Sequence, residues 1–318
     1  MRTKSPAARG YALAVVAAAF LSTTAIFIRY LTQRYAIPAL VLALWRDVFT
    51  VATLVPVFAI AKPSLLRLSP RHLLFVVAYG FVLALFNSMW TLSVALNGAA
   101  VATVLVYSSG AFTAILGRLI LKERLGRPKI AAVVLSLLGC ALVAGVLEIG
   151  DWHGSVAGIV TGIVGGLAYA LYSLMGRAAS VRGLDPWTTL VYTFGFAALI
   201  LFGANCLPGA PLPGSAKALG DILWLGGSWL GWIVLFLLAA VPTVGGFGLY
   251  NVSLTILPSS VASIVVSLEP VFTSITAFLL LGERLTAVQL AGAAMILGGV
   301  VVLNLFEGRG NRPSSSPA

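Results

Sequence analysis

Long apolar segments dominate this sequence, and they set the first limit on its fold. One of them, SSVASIVVSLEPVFTSITAFLLL, has more than 20 mostly apolar positions. A helix of ~20 apolar residues crosses the ~30 Å hydrocarbon layer of a membrane. Runs of this length lack the alternation of membrane β-barrel strands. The sequence therefore predicts an all-α membrane protein.

Composition supports this prediction, because 60% of the residues are hydrophobic and only 9% are charged. Soluble proteins have about 45–50% apolar and about 25% charged residues. We place ten transmembrane helices, whose boundaries are good to about 2–4 residues. They cover 11–29, 38–61, 72–95, 98–121, 129–147, 155–177, 186–205, 228–250, 258–281 and 286–306.

The positive charges lie mainly between these helices. A net charge of +11 suggests nucleic acid in a soluble protein. Here 15 of the 20 basic residues fall in the segments that share the side of the N-terminus. The positive-inside rule then places both termini in the cytoplasm. The sequence predicts a lipid bilayer as the partner and no nucleic acid.

The chain contains an internal repeat. A shift of 160 residues aligns Val101–Leu125 with Val261–Leu285, and 11 of the 25 positions are identical, among them a Glu-Arg pair. We predict a segment 1–10 in the cytoplasm, repeats 11–147 and 155–306, and a disordered cytoplasmic tail 307–318. Each repeat has five helices. Because five is odd, the second repeat has inverted topology, as in many secondary transporters that work by alternating access.

Glu269 and Pro270 lie within a predicted helix. A charged group at a helix centre costs ~2.5–3.5 kcal/mol, so this carboxyl needs a partner, water or a proton. Pro270 frees a backbone carbonyl and kinks the helix, which is tolerated beside a cavity. Glu269 could then bind a substrate ammonium group or couple transport to protons. The alternatives are a carboxyl that holds two helices together, or one closer to the membrane surface.

Arg46 and Asp47 lie near the start of the second helix. Adjacent helical positions face about 100° apart, so we expect each side chain to find a partner elsewhere. Arg46 could attract a substrate carboxylate or pair with Glu269. The alternative is that Arg46 extends to the membrane surface or links helices structurally.

Further pocket candidates come from aligned helices. Thr103, Tyr107 and Gly110 share one helical face, and the aligned Ser263, Ser267 and Pro270 share another. We expect Gly110 and Pro270 to act as unequal hinges. Other polar and aromatic candidates for substrate binding are Asn87, Trp90, Tyr169, Tyr172, Tyr250 and Asn251. Such residues also pack helices or form interfacial belts.

Two other patterns remain open. Small residues at spacings such as Gly162 with Gly166 allow close contact between helices, either between the subunits of a homodimer or within one bundle. Glu123 and Glu283 occupy corresponding turns on opposite sides of the membrane, where we expect them to close the turn locally.

The chain lacks the sequence signs of an enzyme. Cys140 and Cys206 do not have metal-ligand spacing, and His72 and His153 fall on opposite sides. No phosphate-binding GxxxxGK[ST] motif occurs. We predict no cofactor, no metal and no catalytic site. A non-transporting receptor or assembly subunit remains an alternative, and an intramembrane hydrolase is a second one.

Over residues 10–306 the chain resembles the EamA-type drug/metabolite transporter superfamily. The resemblance lies in the segment LEPVFTSITAFLLLGERL, its twin SSGAFTAILGRLILKERL, and Arg46. The chain departs from the pattern at Gly110 and Lys122, which align with Pro270 and Gly282. The resemblance implies transport of a small organic metabolite such as an amino acid, commonly export across the bacterial inner membrane. The aromatic candidates favour an amphipathic or aromatic amino acid, or a related amphipathic compound.

Overall fold

The computed structural model describes residues 6–143, 155–207, 212–281 and 286–310, and every regular element in these ranges is helical. This confirms the all-α prediction. The helices are α1 Pro6–Leu21, α2 Thr24–Tyr35, α3 Ala39–Ala61, α4 Leu73–Tyr107, α5 Ser109–Ile120, α6 Arg127–Val143, α7 Val156–Val181, α8 Pro186–Cys206, α9 Trp229–Leu238, α10 Gly248–Ile256, α11 Ser259–Val266, α12 Glu269–Leu281 and α13 Ala287–Gly310.

Seven helical segments of the described chain are long and apolar enough to cross a membrane. They are Pro6–Tyr35, Ala39–Ala61, Pro70–Leu96, Ala102–Ile120, Val156–Val181, Pro186–Cys206 and Trp229–Ile256. Two shorter apolar helical segments, Ser259–Thr273 and Ala287–Leu303, follow them. The protein is therefore a multi-pass membrane protein.

The two ends of the helical region differ from the prediction. Helix α1 begins at Pro6, inside the predicted segment 1–10, and α13 continues to Gly310 instead of ending at residue 306. Residues 311–318 of the predicted tail lie outside the described ranges. The first predicted helix is also broken, because the Ser22 and Thr23 hydroxyls donate to the carbonyls of Ala19 and Phe20 at 2.7 and 2.8 Å and compete with the helical pattern.

The predicted break at LNG, residues 96–98, falls inside the helical segment α4. Two contacts show that α4 nevertheless reverses direction. Trp90 N and Val106 Cγ2 lie 3.4 and 3.5 Å from the point where a Cβ would stand on Gly165. A straight helix would separate residues 90 and 106 by ~24 Å. Helix α4 therefore folds back on itself, and both of its arms pack against α7.

The eighth predicted helix contains a π-helical stretch, Ala239–Phe247, between α9 and α10. Pro242 lies in this stretch, and the Thr243 hydroxyl donates to the Leu238 carbonyl at 2.8 Å. Such π-helical turns often accompany functional sites, because they change which side chains face the interior. Here the last residue of the stretch, Phe247, faces a central cavity.

Small residues allow two helices from different halves of the chain to cross closely. A Cβ on Gly139 of α6 would lie 2.6 Å from the Gly292 carbonyl oxygen of α13. A Cβ on Gly292 would lie 2.7 Å from the Gly139 oxygen. The halves are thus joined where neither backbone has room for a side chain.

Candidate functional site

Two helices break at aligned positions beside the centre of the molecule. Helix α4 ends at Tyr107 and α5 begins at Ser109, while α11 ends at Val266 and α12 begins at Glu269. At each break a serine hydroxyl, of Ser108 or Ser267, donates at 2.5 Å to the carbonyl three residues earlier. This bond offers the carbonyl a partner outside the helical pattern, which bends helices.

A cavity lies beside these breaks. It has an empty volume of about 510 Å³, part of it open to the outside. Its walls combine apolar and aromatic side chains with a few polar ones, the usual composition of a small-molecule site. The lining residues are Leu21, Thr24, Arg46, Phe86, Trp90, Thr103, Val106, Tyr107, Tyr169, Phe247 and Glu269.

The structure brings six of the predicted site residues to this one cavity. They come from four helices that are distant in sequence: Arg46 from α3, Trp90, Thr103 and Tyr107 from the two arms of α4, Tyr169 from α7 and Glu269 from α12. Aromatic rings form a continuous wall, since Phe86 and Tyr169 stack with centroids 4.9 Å apart. A cargo in this cavity would meet both a guanidinium and a carboxyl group.

Glu269 faces the cavity from the first residue of α12. Tyr107 lines the same cavity. Within the described ranges, no lysine or arginine nitrogen approaches Glu269 within 4.0 Å. The predicted pairing of Arg46 with Glu269 is therefore absent in this conformation. The Glu269 carboxyl remains able to bind a positively charged or hydrogen-bond-donating group of a cargo.

Arg46 pairs with its own neighbour, which corrects the expectation that Arg46 and Asp47 seek separate partners. Arg46 Nε lies 3.6 Å from Asp47 Oδ1, and the two side chains are 2% and 0% exposed. Adjacent helical positions face about 100° apart, but the arginine side chain is long enough to reach back to the neighbouring carboxylate. It does so because attraction between opposite charges is strong away from water.

Arg46 keeps hydrogen-bonding capacity despite this ion pair. Its Nε and Nη2 atoms are buried and make no hydrogen bond with any residue of the described chain. A buried donor without a partner is costly. Since Arg46 lines the cavity, a bound oxyanion would supply the missing acceptor.

Four other predicted pocket residues lie next to the cavity rather than in its lining. Tyr172 donates a hydrogen bond to Asn251 Oδ1 at 3.1 Å, and the Tyr250 and Ser173 hydroxyls are 2.7 Å apart. Asn87 donates to Asp47. These hydrogen bonds tie the residues to their neighbours behind the cavity wall, while Asn87 Oδ1 and Asn251 Nδ2 are buried without a hydrogen-bond partner in the described chain. Tyr169 lines the cavity and also contacts the residues behind it, because its ring stacks on that of Tyr250 with centroids 6.0 Å apart.

Ser263, Ser267 and Gly110 line a second, smaller cavity together with Tyr107. Its empty volume is about 240 Å³. Tyr107 thus separates the two spaces. Pro270 lines neither cavity and occupies the first turn of α12, where its missing N–H leaves no helical bond unmade.

Sequence reasoning missed Phe86 and Phe247, which contribute two rings to the cavity. A simple spacing argument could have found them. Phe86 precedes Trp90 by four residues, and Phe247 precedes Tyr250 by three, so each lies on the same helical face as a predicted residue. Within the described chain no group of three or more His, Cys, Asp or Glu residues could hold a metal ion.

Glu123 joins the two halves of the chain, which corrects the expectation of a local role. Its Oε1 accepts hydrogen bonds from Ser259 N at 2.8 Å and Ser259 Oγ at 2.6 Å, and Oε2 accepts from Ser260 N at 3.3 Å and from Ser260 Oγ. Lys129 Nζ donates to Ser260 Oγ at 3.0 Å. The first helical N–H groups have no partner within a helix, so α11 offers Glu123 its free donors. Glu283 lies outside the described residues.

Comparison with known proteins identifies a family. A model of the EamA-like transporter family matches the chain twice, at residues 8–145 and 156–305. A protein of Salmonella typhimurium named as a probable amino-acid metabolite efflux pump is 25% identical over 86% of this chain and 88% of its own length. A threonine/homoserine exporter from the same species is 28% identical over 75% of this chain and 74% of its own length.

Two further matches support the same grouping. An uncharacterized transporter of Archaeoglobus fulgidus is 29% identical over 64% of this chain, and the match spans 66% of that relative. A crystal structure superposes with a TM-score of 0.75 at 16% identity, and it covers 96% of this chain and 99% of its own. At that identity the likeness shows the fold alone.

Proposed function

This chain belongs to the EamA-like transporter family, and from that premise we propose that it is a secondary transporter for a small amphipathic amino acid. The proposed direction is export across the inner membrane. The protein would work by alternating access, in which a central site opens to one side of the membrane and then to the other. The relatives named as an amino-acid efflux pump and a threonine/homoserine exporter support both the cargo class and the direction.

The observation that carries this proposal is the pair of opposite charges in an aromatic cavity. Arg46 offers buried Nε and Nη2 donors that no described residue accepts. Glu269 offers a carboxyl without a basic partner in the described ranges. An amino acid has a carboxylate for the first and an ammonium group for the second. Its side chain would pack against the rings of Phe86, Tyr169 and Phe247.

Several features support ten helices in an inverted repeat. The described chain has seven long spans, and the apolar segments at α6, α11–α12 and α13 would complete ten. The family model matches each half separately. Helices α5 and α12 begin at residues 109 and 269, which the internal alignment superposes.

The contact between Glu123 and α11 supports alternating access. With both termini in the cytoplasm, this contact lies at the cytoplasmic end of the bundle. It ties the turn after α5 to the start of α11, in the other half of the chain. Opening of the cytoplasmic side would break these hydrogen bonds, so Glu123 would stabilise the state closed to the cytoplasm.

Glu269 is the proposed coupling residue. It lines the cavity, so the cargo and a proton would compete for one carboxyl. Binding of a proton from outside would release the ammonium group, and loss of that proton to the cytoplasm would restore the site. Export would then be driven by the proton gradient.

The test is transport in proteoliposomes. Purified protein is reconstituted into proteoliposomes that are loaded with radiolabelled phenylalanine, threonine, homoserine or leucine. Efflux is measured with and without an imposed pH gradient. We expect the native protein to carry at least one of these, faster with the gradient. The Glu269→Gln variant should lose the response to the gradient.

The matched control is Asp221→Asn, which changes a carboxyl group in the loop between α8 and α9, far from the cavity residues in sequence and outside its lining. This variant should behave as the native protein does. A normal gradient response in Glu269→Gln would show that Glu269 is structural. Absence of transport for every amino acid in the native protein would favour the receptor or assembly-subunit alternative.

A further inference from the structure

Asp47 lies directly behind the cavity and does not line it. The side chain is 0% exposed, and its Oδ1 atom is 3.6 Å from Arg46 Nε. Asn87 Nδ2 donates to both carboxylate oxygens, at 3.0 and 2.9 Å. A cargo would therefore meet Arg46 but would not touch Asp47.

The geometry of Asn87 shows what holds Asp47 in place. The opposite orientation of the amide would direct its carbonyl oxygen at a carboxylate, which has only acceptors to offer. With its amino group toward Asp47, Asn87 can bridge both oxygens from the neighbouring helix α4. Asn87 is itself 0% exposed, so packing fixes this donor, and the donor fixes the carboxylate beside Arg46.

This arrangement separates two properties of Arg46. Its positive charge is balanced by Asp47, because the two groups are adjacent and buried. Its Nε and Nη2 donors remain without a partner in the described chain. Arg46 can thus donate hydrogen bonds to a cargo carboxylate without giving the cavity a net positive charge. The charge of the cavity is then set by Glu269, the other charged residue in its described lining.

We propose that Asp47, positioned by Asn87, determines cargo specificity by net charge, so that the site accepts zwitterionic or cationic amphiphiles and rejects anionic ones. This inference rests on the proposed amino-acid transport and adds a rule for which derivatives the same cavity binds. Asp47 is a positioning residue in this scheme, since it acts on the cargo through Arg46.

The experiment compares three compounds with the same phenyl ring. Counterflow of radiolabelled L-phenylalanine is measured in proteoliposomes against unlabelled L-phenylalanine, protonated L-phenylalaninamide and N-acetyl-L-phenylalanine. The second compound is a cation and the third is an anion. In the native protein we expect the cation to compete more strongly than the anion by at least about tenfold, because one unbalanced charge in a partly buried site is worth more than 1.4 kcal/mol.

Variants of the ion pair give opposite predicted shifts. Asp47→Asn leaves the Arg46 charge unbalanced, so the ratio of cation to anion competition should fall at least about tenfold. Arg46→Gln leaves the Asp47 charge unbalanced, so the ratio should move toward the cation. Damage to the fold would not move selectivity in two directions.

The double variant, with Arg46→Gln and Asp47→Asn together, is the control for folding, because it leaves no unpaired charge at these two positions. It should bind phenylalanine more weakly, and its ratio of cation to anion competition should rise less than that of Arg46→Gln, because only the hydrogen bonds from Arg46 to the cargo carboxylate are lost. Equal ratios in Arg46→Gln and in the double variant would show that the charge of Asp47 does not act on the cargo, which overturns the inference. An unchanged ratio in Asp47→Asn would overturn it as well. Absence of counterflow in the native protein with every amino acid would instead reject the proposed function.

Discussion

The helix break before Ser109 and the break before Glu269 are 160 residues apart and have the same backbone pattern. In the first, Ser108 N donates to Leu105 O at 3.2 Å, and Phe112 N donates to Ser108 O at 3.1 Å. In the second, the aligned bonds from Leu268 to Val265 and from Phe272 to Leu268 are both 3.1 Å. The backbone hydrogen bonds match at these aligned positions, although the side chains differ.

This difference separates the roles of shape and chemistry. Gly110 follows the first break and Pro270 follows the second, yet the aligned backbone hydrogen bonds agree within 0.1 Å. The chemistry is unequal, because Ser109 is buried at 1% exposure whereas the aligned Glu269 faces the cavity. Two similar breaks therefore lie beside one cavity, and only the second carries a carboxyl group.

The largest effect is expected at Glu123, whose four hydrogen bonds hold the turn after α5 to α11. Glu123→Ala should lower the free energy of unfolding by about 3 kcal/mol, since hydrogen bonds to charged groups contribute ~1.5–3 kcal/mol each and this site is partly exposed. Thermal unfolding in detergent measures the loss. Ser259→Ala with Ser260→Ala removes two of the four bonds and should cost about half as much; a larger cost for the serine pair would contradict this account.

The next effect concerns the crossing of α6 and α13, which has two aligned contacts. Gly292 approaches Gly139, while Gly299 approaches Ala132, and the alignment pairs Gly292 with Ala132. Gly292→Ala should destabilise the protein by about 2 kcal/mol, because the added methyl group would lie 2.7 Å from the Gly139 oxygen. Ala132→Gly is the control and should cost less than 1 kcal/mol by the ~0.5–1 kcal/mol penalty of glycine in a helix. Equal losses would refute the close crossing.

A smaller effect is expected at Pro270. Pro270→Ala should lower the free energy of unfolding by only about 0.5 kcal/mol, because proline in a compatible position acts by restricting the unfolded chain. The transport rate should stay close to native, since the first half makes the aligned backbone hydrogen bonds without proline. A strong loss of phenylalanine counterflow in this variant would support the predicted role of Pro270 as a hinge.

An effect of similar size and opposite sign is expected at Gly110. No atom lies within 4 Å of the position that a Cβ would occupy there. Gly110→Ala should therefore stabilise the protein by about 0.4–1 kcal/mol through the unfolded chain. Unchanged counterflow together with a slightly higher unfolding temperature is the expected result, and slower counterflow would show that the first bend must flex.

The sequence located much of the candidate site, but not its internal partnerships. Arg46 and Glu269 stand out because charged groups in apolar helices are costly, and Tyr107 stands out because it shares a helical face with Thr103 and Gly110. Helix geometry alone makes Asp47 a poor partner for Arg46, because it does not include the reach of the long arginine side chain. Glu123 was given a local role because no pattern along the chain indicates contact with Ser259, 136 residues away.

By itself the sequence determined the membrane environment, the all-helical fold and the family, since hydropathy and motif spacing are properties of each segment alone. The aligned halves were visible for the same reason. Tertiary structure decided which polar side chains meet: the fold of α4 against α7 brings Trp90 and Tyr169 to one cavity. Such meetings depend on how whole helices are placed in space, where a shift of one turn exchanges one set of neighbours for another.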